Sequence, residues 1–385
     1  MIPYGRQEIS QADIDAVVAV LKSDFLTQGP TVPRFEQAVA ARCGAKHAIA
    51  VNSATSALHV ACLALDLGPG DTLWTVPNTF VASANCGRYC GAGVDFVDID
   101  PNTWNLSVPA LRSKLIQAKR VGKLPKIVVP VHFGGQPTDQ EEIWDLAQEF
   151  GFRVLEDASH SFGATRNGES VGSCKWSHIA VFSFHPVKII TTGEGGMAMT
   201  NDDELAWRMT ALRSHGITRD PARMRREPDG PWYYEQLELG YNYRMTDLQA
   251  ALGLSQFACL DEFVERRNAL ARRYDRKLAG LSLRLPTVRP ENRSAFHLYV
   301  TRLCSGKIRK THREVYEALR SEGVGVNLHY MPVHLQPYYR NLGFAPDLYP
   351  EAERYAQEAI SLPLYPGLTE QQQEHVVQAL RKTLT

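Results

Sequence analysis

The residue of this 385-residue chain with the clearest capacity for chemistry is Lys188, in the segment FSFHPVKIITTGEGG. Lys188 lies between an apolar run that ends at Ser183 and a glycine-rich turn, beside Ile189 and Ile190. Most lysines are solvated, whereas burial lowers the pKa of the amine and leaves it free to act as a nucleophile or Schiff-base former. An exposed lysine at a strand end is the alternative interpretation of this segment alone.

A second chemical group, Asp157, follows the apolar run Arg153–Glu156 about thirty residues before Lys188. A carboxylate at the carboxyl end of a buried strand, facing a cleft, holds a pyridinium nitrogen protonated and keeps a pyridoxal ring an electron sink. The stretch that begins at Asp157 also fits a helix N-cap. The pair of Asp157 and Lys188 is more specific than either residue alone.

The elements that position these residues alternate between apolar strands and helices. This alternation predicts an α/β fold, a parallel sheet covered by helices on both faces, with the site at the carboxyl ends of the strands. The predicted strands are His47–Val51, Thr72–Val76, Val94–Asp98, Lys126–Val131, Arg153–Glu156 and Met197–Thr200. The segments at these strand ends are the candidates for a chemical role. They are Asn52–Ser56, Asn78–Phe80, His132–Gln136, Glu156–His160 and Ser183–Lys188.

Four further segments carry predictions that the fold can test. Ser10 and Asp13 are spaced as a capping box for a helix to Lys22, whose apolar face consists of Ile14, Val17, Val18 and Leu21. Thr246–Arg273 reads as one long helix and Val326–Tyr330 as a strand. Arg219–Trp232 lacks periodicity and predicts an exposed loop. At this length two domains are expected.

Small and hydroxyl residues occupy the turn after the first strand, Asn52-Ser-Ala-Thr-Ser-Ala. At the start of a helix the first backbone N–H groups have no intrahelical partner and, with the helix dipole, favour an anion. A phosphate group is therefore a candidate ligand here. A simple Ser or Thr N-cap uses the same residues, and the two roles are compatible.

The composition argues against several classes of protein. The chain has 42 lysines and arginines and 42 aspartates and glutamates, so its formal net charge is zero. This balance gives no indication of a basic surface for nucleic acid or membrane. The seven cysteines are scattered without metal-ligand spacing, which favours reduced thiols, no metal site and a cytoplasmic location. Neither GxGxxG nor a P-loop motif occurs.

The chain contains, in this order, the motifs PYGRQ, FLTQGP, NSATSAL, PNTFVASANC, EDASHSFGA, FSFHPVKIITTGEGGM, LRSHG, GYNYRMTDLQAALGLSQ and VNLHYMPVHLQPYY. Taken together, these motifs resemble the DegT/DnrJ/EryC1/StrS family of pyridoxal-phosphate sugar aminotransferases, of the aspartate-aminotransferase fold type I. The resemblance implies a large, mostly parallel sheet domain over residues 1–255, a smaller α/β domain over 256–385, and a contribution of residues 1–30 to the substrate cleft. It also implies a homodimer.

The resemblance also implies roles for single residues. Lys188 holds the cofactor covalently and moves the substrate proton, while Asp157 pairs with the ring nitrogen. His160 is either the partner of the phenolic oxygen or a packing residue, and Phe80 either stacks on the ring or belongs to the core. The phosphate ligands implied are Ser53, Ala54, Thr55 and Ser183, with Asn242 reaching the cofactor of a second subunit.

The implied substrates are L-glutamate and a UDP-linked 4-keto-6-deoxy-N-acetylhexosamine aminated at C4, as in family members that make UDP-4-amino-4,6-dideoxy-N-acetyl-β-L-altrosamine for pseudaminic acid. Another nucleotide-linked 3- or 4-keto sugar, and a non-catalytic nucleotide-binding regulator, are the alternatives. Family members with histidine in place of the lysine are dehydratases, so Lys188 favours amino transfer. The implied substrate contacts are Tyr4, Asp24, Phe25, Leu26, Thr27, Leu328, His329, Tyr330 and Met331; Arg213, His215 and Arg244 are candidates for anions or for surface ion pairs.

Overall fold

A computed structural model describes residues 1–304 and 306–384. Its helices are α1 (Gln11–Leu21), α2 (Thr31–Cys43), α3 (Ala54–Ala64), α4 (Ala82–Tyr89), α5 (Val108–Arg120), α6 (Gln140–Phe150), α7 (Asp203–Arg213), α8 (Asp247–Phe257), α9 (Leu260–Leu278), α10 (His312–Ser321), α11 (Pro337–Arg340), α12 (Pro350–Glu358) and α13 (Glu370–Leu384). Its strands are β1 (His47–Val51), β2 (Thr72–Thr75), β3 (Gly93–Phe96), β4 (Ile127–Val129), β5 (Arg153–Asp157), β6 (Thr165–Arg166), β7 (Glu169–Ser170), β8 (Ile179–Ser183), β9 (Gly196–Thr200), β10 (Ile217–Thr218), β11 (Glu235–Gln236), β12 (Leu283–Arg284), β13 (Asn292–Arg293), β14 (Tyr299–Leu303) and β15 (Ala359–Leu362).

The main sheet has seven strands in the order β1-β9-β8-β5-β4-β2-β3. Only β9 runs antiparallel to its neighbours, β1 and β8, while the pairs from β8 to β3 are parallel. Every residue of β8 and β9 is buried, which explains their continuous apolar character, because helices cover both faces. The predicted α/β class with a mostly parallel sheet is confirmed.

Local sequence signals fix several helix starts. Ser10 accepts from the backbone of Asp13, whose carboxylate accepts from the backbone of Ser10, so the predicted capping box is present. Thr311 and Glu314 form the same arrangement at α10. Each box satisfies backbone donors that a helix start otherwise leaves without partners.

The predicted helix Thr246–Arg273 is wrong in one respect, because it is broken into α8 and α9. Ala258 and Cys259 donate to the carbonyls of Ser255 and Gln256, three residues back, which tightens and ends α8 before α9 begins at Leu260. The break contains no Gly or Pro. It separates α8, which packs on α1 and α2, from α9, which packs on α13.

The predicted strand Val326–Tyr330 is also wrong, since only Asn327 forms an isolated bridge, to Ser361. Side-chain oxygens accept hydrogen bonds from backbone N–H groups that would otherwise pair with a neighbouring strand. The Asn327 side chain accepts from the backbone N–H of Leu328, and the Asn78 side chain accepts from that of Tyr330. The irregular backbone turns this segment toward the large sheet.

The first residues of the chain pack against this same segment. Ile2 forms a parallel bridge with Val324, and the carbonyl of Tyr4 accepts from the backbone N–H of Leu364. Tyr4 thereby lies beside His329, with 5.1 Å between ring centroids. Residues from both ends of the chain therefore meet, as the substrate predictions require.

The apolar face predicted for α1 is not covered within one chain. Ile14, Val18 and Leu21 are 37–55% exposed, and Phe25 and Leu26 extend this apolar surface. The helix instead buries Asp13 and Val20 against the chain. The loop from Arg219 to Trp232 contains no helix or strand, as predicted.

Among the described residues, no helix is both long and apolar enough to cross a bilayer. The seven cysteines are free thiols.

Candidate active site

A cavity of about 540 Å³ opens at the carboxyl ends of β1, β2, β5 and β8. This is the edge of the sheet at which the strand order predicts a site. Of the predicted site residues it is lined by Tyr4, Ser53, Ala54, Thr55, Phe80, Asp157, His160, Ser183, Lys188, Leu328, His329 and Tyr330.

Lys188 is held by a tightly closed loop between β8 and β9. Phe184 donates its backbone N–H to the carbonyl of Gly195 and accepts from Thr192, while Ile189 and Ile190 are buried below the loop. Burial lowers the pKa of the Lys188 amine to about 8, against a weaker opposing effect of the Asp157 charge. An amine with this pKa is present partly as the free base near neutral pH, as a nucleophile requires.

The carboxylate of Asp157 is fixed at the end of β5. Ser83 Oγ donates to one oxygen at 2.6 Å, and the backbone N–H of Ser159 donates to the other at 3.1 Å. The segment after Asp157 forms turns rather than a helix, so the N-cap interpretation is wrong. The two donors fix the orientation of this buried carboxylate in the cavity wall.

The start of α3 forms a cradle for an anion. Ser53 is the N-cap residue, and its Oγ accepts from the backbone N–H of Ser56 at 3.1 Å. Gly196 lies directly behind this turn, where an added Cβ would come within 2.6 Å of the Ala54 backbone nitrogen. The glycine lets β9 approach the turn, and the hydroxyl of Ser183 lines the cavity close by.

Phe80 is 57% exposed at the cavity wall, so the interpretation as a core phenylalanine is wrong. Its ring centroid lies 6.3 Å from that of Tyr330. An exposed aromatic ring at a ligand cavity gains most of its burial when a ligand covers it.

His160 is buried and has protein partners at both ring nitrogens. Gly134 donates its backbone N–H to Nδ1 at 3.3 Å, and Nε2 lies 3.1 Å from the Tyr330 hydroxyl. Burial, followed by the charges of Lys188 and His329, lowers the pKa of His160 well below its usual value. The imidazole is neutral at pH 7.

His329 likewise has no ring nitrogen left for a ligand. Its Nδ1 lies 2.7 Å from Ser361 Oγ, and its Nε2 lies 3.3 Å from the Asn327 side-chain nitrogen. Burial and then the Lys188 charge lower its pKa to about 3. What His329 presents to the cavity is a ring face that packs against Tyr4.

The remaining predicted residues lie outside the cavity of one chain. Asp24–Thr27 lies at the start of α8, where the carbonyls of Leu26 and Thr27 accept from Leu248 and Asp247. Met331 and Asn242 are exposed. Arg213 is used within the chain, since it contacts Glu36 at 2.5 Å and the Ala50 carbonyl at 2.7 Å.

His297 is a cavity residue that the local sequence does not indicate. This histidine is 4% exposed, lines the cavity, and has an Nδ1 atom without a hydrogen-bond partner among the described residues. Its ring centroid lies 4.4 Å from that of His160. A histidine just before β14, in FHLYV, gives no local signal, because only the tertiary fold brings it beside Lys188.

The lowered pKa of Lys188 predicts a pH-dependent cost to the cofactor-free protein. Below pH 8 the amine is protonated in both the folded and the unfolded state. Burial of the charged amine then lowers the free energy of unfolding by its full amount, about 3 kcal/mol. Between pH 8 and the ordinary value of 10.5 the unfolded chain binds a proton that the folded chain lacks, so stability rises with pH. Lys188→Met should therefore stabilise the cofactor-free protein at pH 7, and this gain should shrink by pH 10.

Urea denaturation of both proteins at the two pH values, at one protein concentration, measures this gain. An equal gain at pH 7 and pH 10 would show that the amine is well hydrated in the fold.

The residues present fit pyridoxal phosphate. The desolvated amine of Lys188 can hold an aldehyde, Asp157 can face a ring nitrogen, and the α3 cradle opened by Gly196 can take a phosphate. Bound there, the cofactor supplies an aldehyde that captures amines and a ring that accepts electrons. Lys188 would then be the group positioned to remove and return a proton, and Phe80 and the neutral histidines line the same cavity.

Comparison with known proteins agrees with this chemistry. Residues 7–381 match the DegT/DnrJ/EryC1/StrS aminotransferase family. The spore coat polysaccharide biosynthesis protein SpsC of Bacillus subtilis is 40% identical, over 99% of this chain and 96% of that one. GDP-perosamine synthase of Caulobacter vibrioides is 39% identical, over 96% and 95% of the two chains. The UDP-4-amino-4,6-dideoxy-N-acetyl-beta-L-altrosamine transaminase of Campylobacter jejuni is 38% identical, over 89% and 87%.

Solved structures agree on the fold. The PLP form of the putative sugar aminotransferase Spr1654 of Streptococcus pneumoniae has a TM-score of 0.89 at 27% identity, over 100% of both chains. Helicobacter pylori PseC, an aminotransferase involved in the biosynthesis of pseudoaminic acid, has a TM-score of 0.87 at 29% identity, over 100% of this chain and 99% of that one. With Lys188, Asp157 and the helix start at Ser53 in one cavity, the chain belongs to the DegT/DnrJ/EryC1/StrS aminotransferase family and is a sugar aminotransferase of fold type I that uses pyridoxal phosphate.

Proposed function

We propose that this enzyme transfers an amino group from L-glutamate to C4 of a UDP-linked 4-keto-6-deoxy-N-acetylhexosamine, giving UDP-4-amino-4,6-dideoxy-N-acetyl-β-L-altrosamine for pseudaminic acid. The observation that carries the proposal is the wall of Tyr4, Leu328 and Tyr330, which lines the same cavity as Lys188. Leu328 with Val187 and Phe80 gives this cavity an apolar side, which suits the methyl group of a 6-deoxy sugar. The names of the Campylobacter and Helicobacter relatives support the same substrate.

The alternative is another nucleotide-linked keto sugar. The relative from Caulobacter is named a GDP-perosamine synthase and is as similar to this chain as the Campylobacter transaminase. The two alternatives differ in the base and in the group at C2 of the sugar. Specificity is therefore a difference between two transfer rates on similar substrates.

We also propose that the working enzyme is a homodimer. Lys188 is the only lysine or arginine among the described residues that line the cavity. A nucleotide sugar carries a diphosphate and glutamate carries carboxylates, and such anions bind best where fixed cations and N–H donors meet them. Asn242, which is exposed, and Arg244, which is half-buried, can be supplied by a second copy, and the uncovered apolar face of α1 with Phe25 and Leu26 offers the contact.

The division into a large domain over 1–255 and a small one over 256–385 is part of this proposal. A small sheet in the order β12-β14-β15 supports the second unit, with a separate apolar cluster around Tyr274 and Tyr299. The bridge from Ile2 to Val324 supports a role for residues 1–30 at the junction.

A panel of keto sugars tests the substrate. Purified enzyme with L-glutamate should release 2-oxoglutarate fastest with the UDP-linked 4-keto-6-deoxy-N-acetylhexosamine, by at least about tenfold over a GDP-linked 4-keto-6-deoxymannose, because missing polar contacts cost about 1–3 kcal/mol each. NMR of the product should place the amine at C4. A faster reaction with the GDP sugar, or an amine at C3, would contradict the proposal, and glutamine as a second donor controls for the amino source.

A further inference from the structure

We propose that Tyr330, rather than His160, donates the hydrogen bond to an oxygen atom of the bound ligands in this cavity, and that His160 fixes the direction of that bond. The acceptor class is an oxygen that carries negative charge, either the phenolic oxygen of the cofactor ring or the carbonyl oxygen of the keto sugar.

The proton of His160 can be assigned from its partners. The backbone N–H of Gly134 can only donate, so Nδ1 must be the acceptor nitrogen. A neutral imidazole carries one proton, which therefore lies on Nε2 and is donated to the Tyr330 hydroxyl oxygen, 3.1 Å away. His160 has no further proton to offer a ligand.

The turn that supplies the Gly134 N–H is held in place. Phe133 donates its backbone N–H to the Asn105 side chain, and the carbonyls of Gly134 and Gly135 accept from Leu298 and Ala295. Gly135 has φ +105, and an added Cβ would lie 2.6 Å from the Phe296 nitrogen, so the two segments are in direct contact. The donor that fixes the tautomer of His160 is thus part of the rigid sheet edge.

The hydroxyl proton of Tyr330 is consequently free for a ligand. Its oxygen accepts from His160, and no acceptor for its proton is found among the described residues. Burial, followed by the charges of Asp157 and Tyr4, raises the pKa of Tyr330, so the phenol keeps its proton. The titratable groups around the pair are Lys188, Asp157, Tyr4, His297 and His329.

If the bond between His160 and Tyr330 only joined two parts of the chain, the Tyr330 hydroxyl proton would also have an acceptor within the chain. Here the order of donors runs one way, from Gly134 through His160 to Tyr330 and then into the cavity that Tyr330 lines. A fixed donor aimed at a developing negative charge stabilises that charge without reorganisation. Tyr330 is thus placed as a ligand-contacting residue and His160 as a positioning residue.

The test compares Tyr330→Phe with Tyr274→Phe, a buried tyrosine whose hydroxyl donates to the Pro363 carbonyl outside the cavity. Two quantities are measured on the cofactor-loaded enzymes. The first is the midpoint pH at which the visible band of the bound cofactor changes, without substrates. The second is the rate of each half-reaction, with glutamate alone and with the keto sugar alone, by stopped flow.

If the acceptor is the phenolic oxygen, Tyr330→Phe should raise the midpoint by about one to two pH units, because a donor to that oxygen stabilises the deprotonated form by a charge-assisted bond. If the acceptor is the sugar oxygen, the midpoint should stay constant while the half-reaction with the keto sugar slows by about ten- to a hundredfold. Either outcome supports the proposal. A Tyr330→Phe enzyme that matches Tyr274→Phe in both quantities overturns it.

The role of His160 is tested by introducing His160→Leu into the unmodified enzyme and into the Tyr330→Phe enzyme. The variant should change the same quantity as Tyr330→Phe, and should add nothing once Tyr330→Phe is present, because the two residues act through one bond. Additive effects would show that His160 acts separately. Only the half-reaction with the keto sugar rests on the proposed function. If the unmodified enzyme fails to aminate that sugar, the proposed function is contradicted. The midpoint pH of the cofactor band still tests the role of Tyr330 in that case.

Discussion

Lys188→Ala is expected to reduce amino transfer by at least about four orders of magnitude, because it removes both the covalent anchor and the acid–base group. Lys188→Arg should be equally inactive, since a guanidinium stays protonated at neutral pH. The protein should still fold, because the loop around residue 188 is held by backbone bonds of Phe184 and by the buried side chains of Ile189 and Ile190. The measurement is 2-oxoglutarate released from glutamate per enzyme per second.

A matched control is Lys175→Ala. Lys175 is 49% exposed and pairs with Glu169 at 2.7 Å on the surface, so its loss should leave the rate within about twofold, as for most exposed ion pairs. Borohydride treatment of the unmodified enzyme should attach the cofactor to the peptide that contains Lys188. Attachment to any other lysine, or more than a hundredth of the normal rate in Lys188→Ala, would contradict the assignment.

Mixing two inactive variants is expected to restore activity if each site is built from two chains. Asn242→Asp should inactivate because it places a carboxylate where the partner's phosphate is proposed to bind. In a mixed dimer of Asn242→Asp with Lys188→Ala, one of the two sites has both residues intact. The purified mixed dimer should therefore show about half of normal activity, because one of its two sites is intact.

The control pair is Lys188→Ala with Asp157→Ala. Both residues line the cavity of the same chain, so no site in their mixed dimer is intact and no activity should return. Recovery in this control pair, or none with Asn242→Asp, would contradict the shared site. Subunits are exchanged by co-expression with two affinity tags, and the mixed dimer is purified before assay.

The two errors in the secondary-structure prediction occur where no Gly or Pro marks a break. Helix α8 ends where Ala258 and Cys259 donate to carbonyls three residues back, and the packing partners change there from α1 and α2 to α13. The irregular path at Asn327 depends on a contact with a distant element. Tyr330 bonds through its backbone to Asn78, 252 residues away in the chain. Such a contact overrides local strand propensity, which is worth at most about 1 kcal/mol.

The same distinction separates two groups of site residues. Asp157 and Lys188 could be predicted because Asp157 ends β5 and Lys188 lies in the loop after β8, and strand ends of a parallel sheet meet at one edge. His297 could not, because its neighbour His160 is more than a hundred residues earlier in the chain. His329 was predicted as a substrate contact, but its ring nitrogens are engaged by Ser361 and Asn327.

Sequence alone therefore determined the class of fold, the capping box at Ser10, and the placement of Asp157 and Lys188 at one edge of the sheet, because these depend on local pattern and on the direction of the strands. Only the tertiary structure decided which nitrogen of His160 carries the proton and which hydroxyl can donate to a ligand. Those properties depend on Gly134 and Tyr330, which are 26 and 170 residues away from His160 in the chain. A proton's position is set by the partners that folding brings within about 3 Å, and a residue's own type leaves it open.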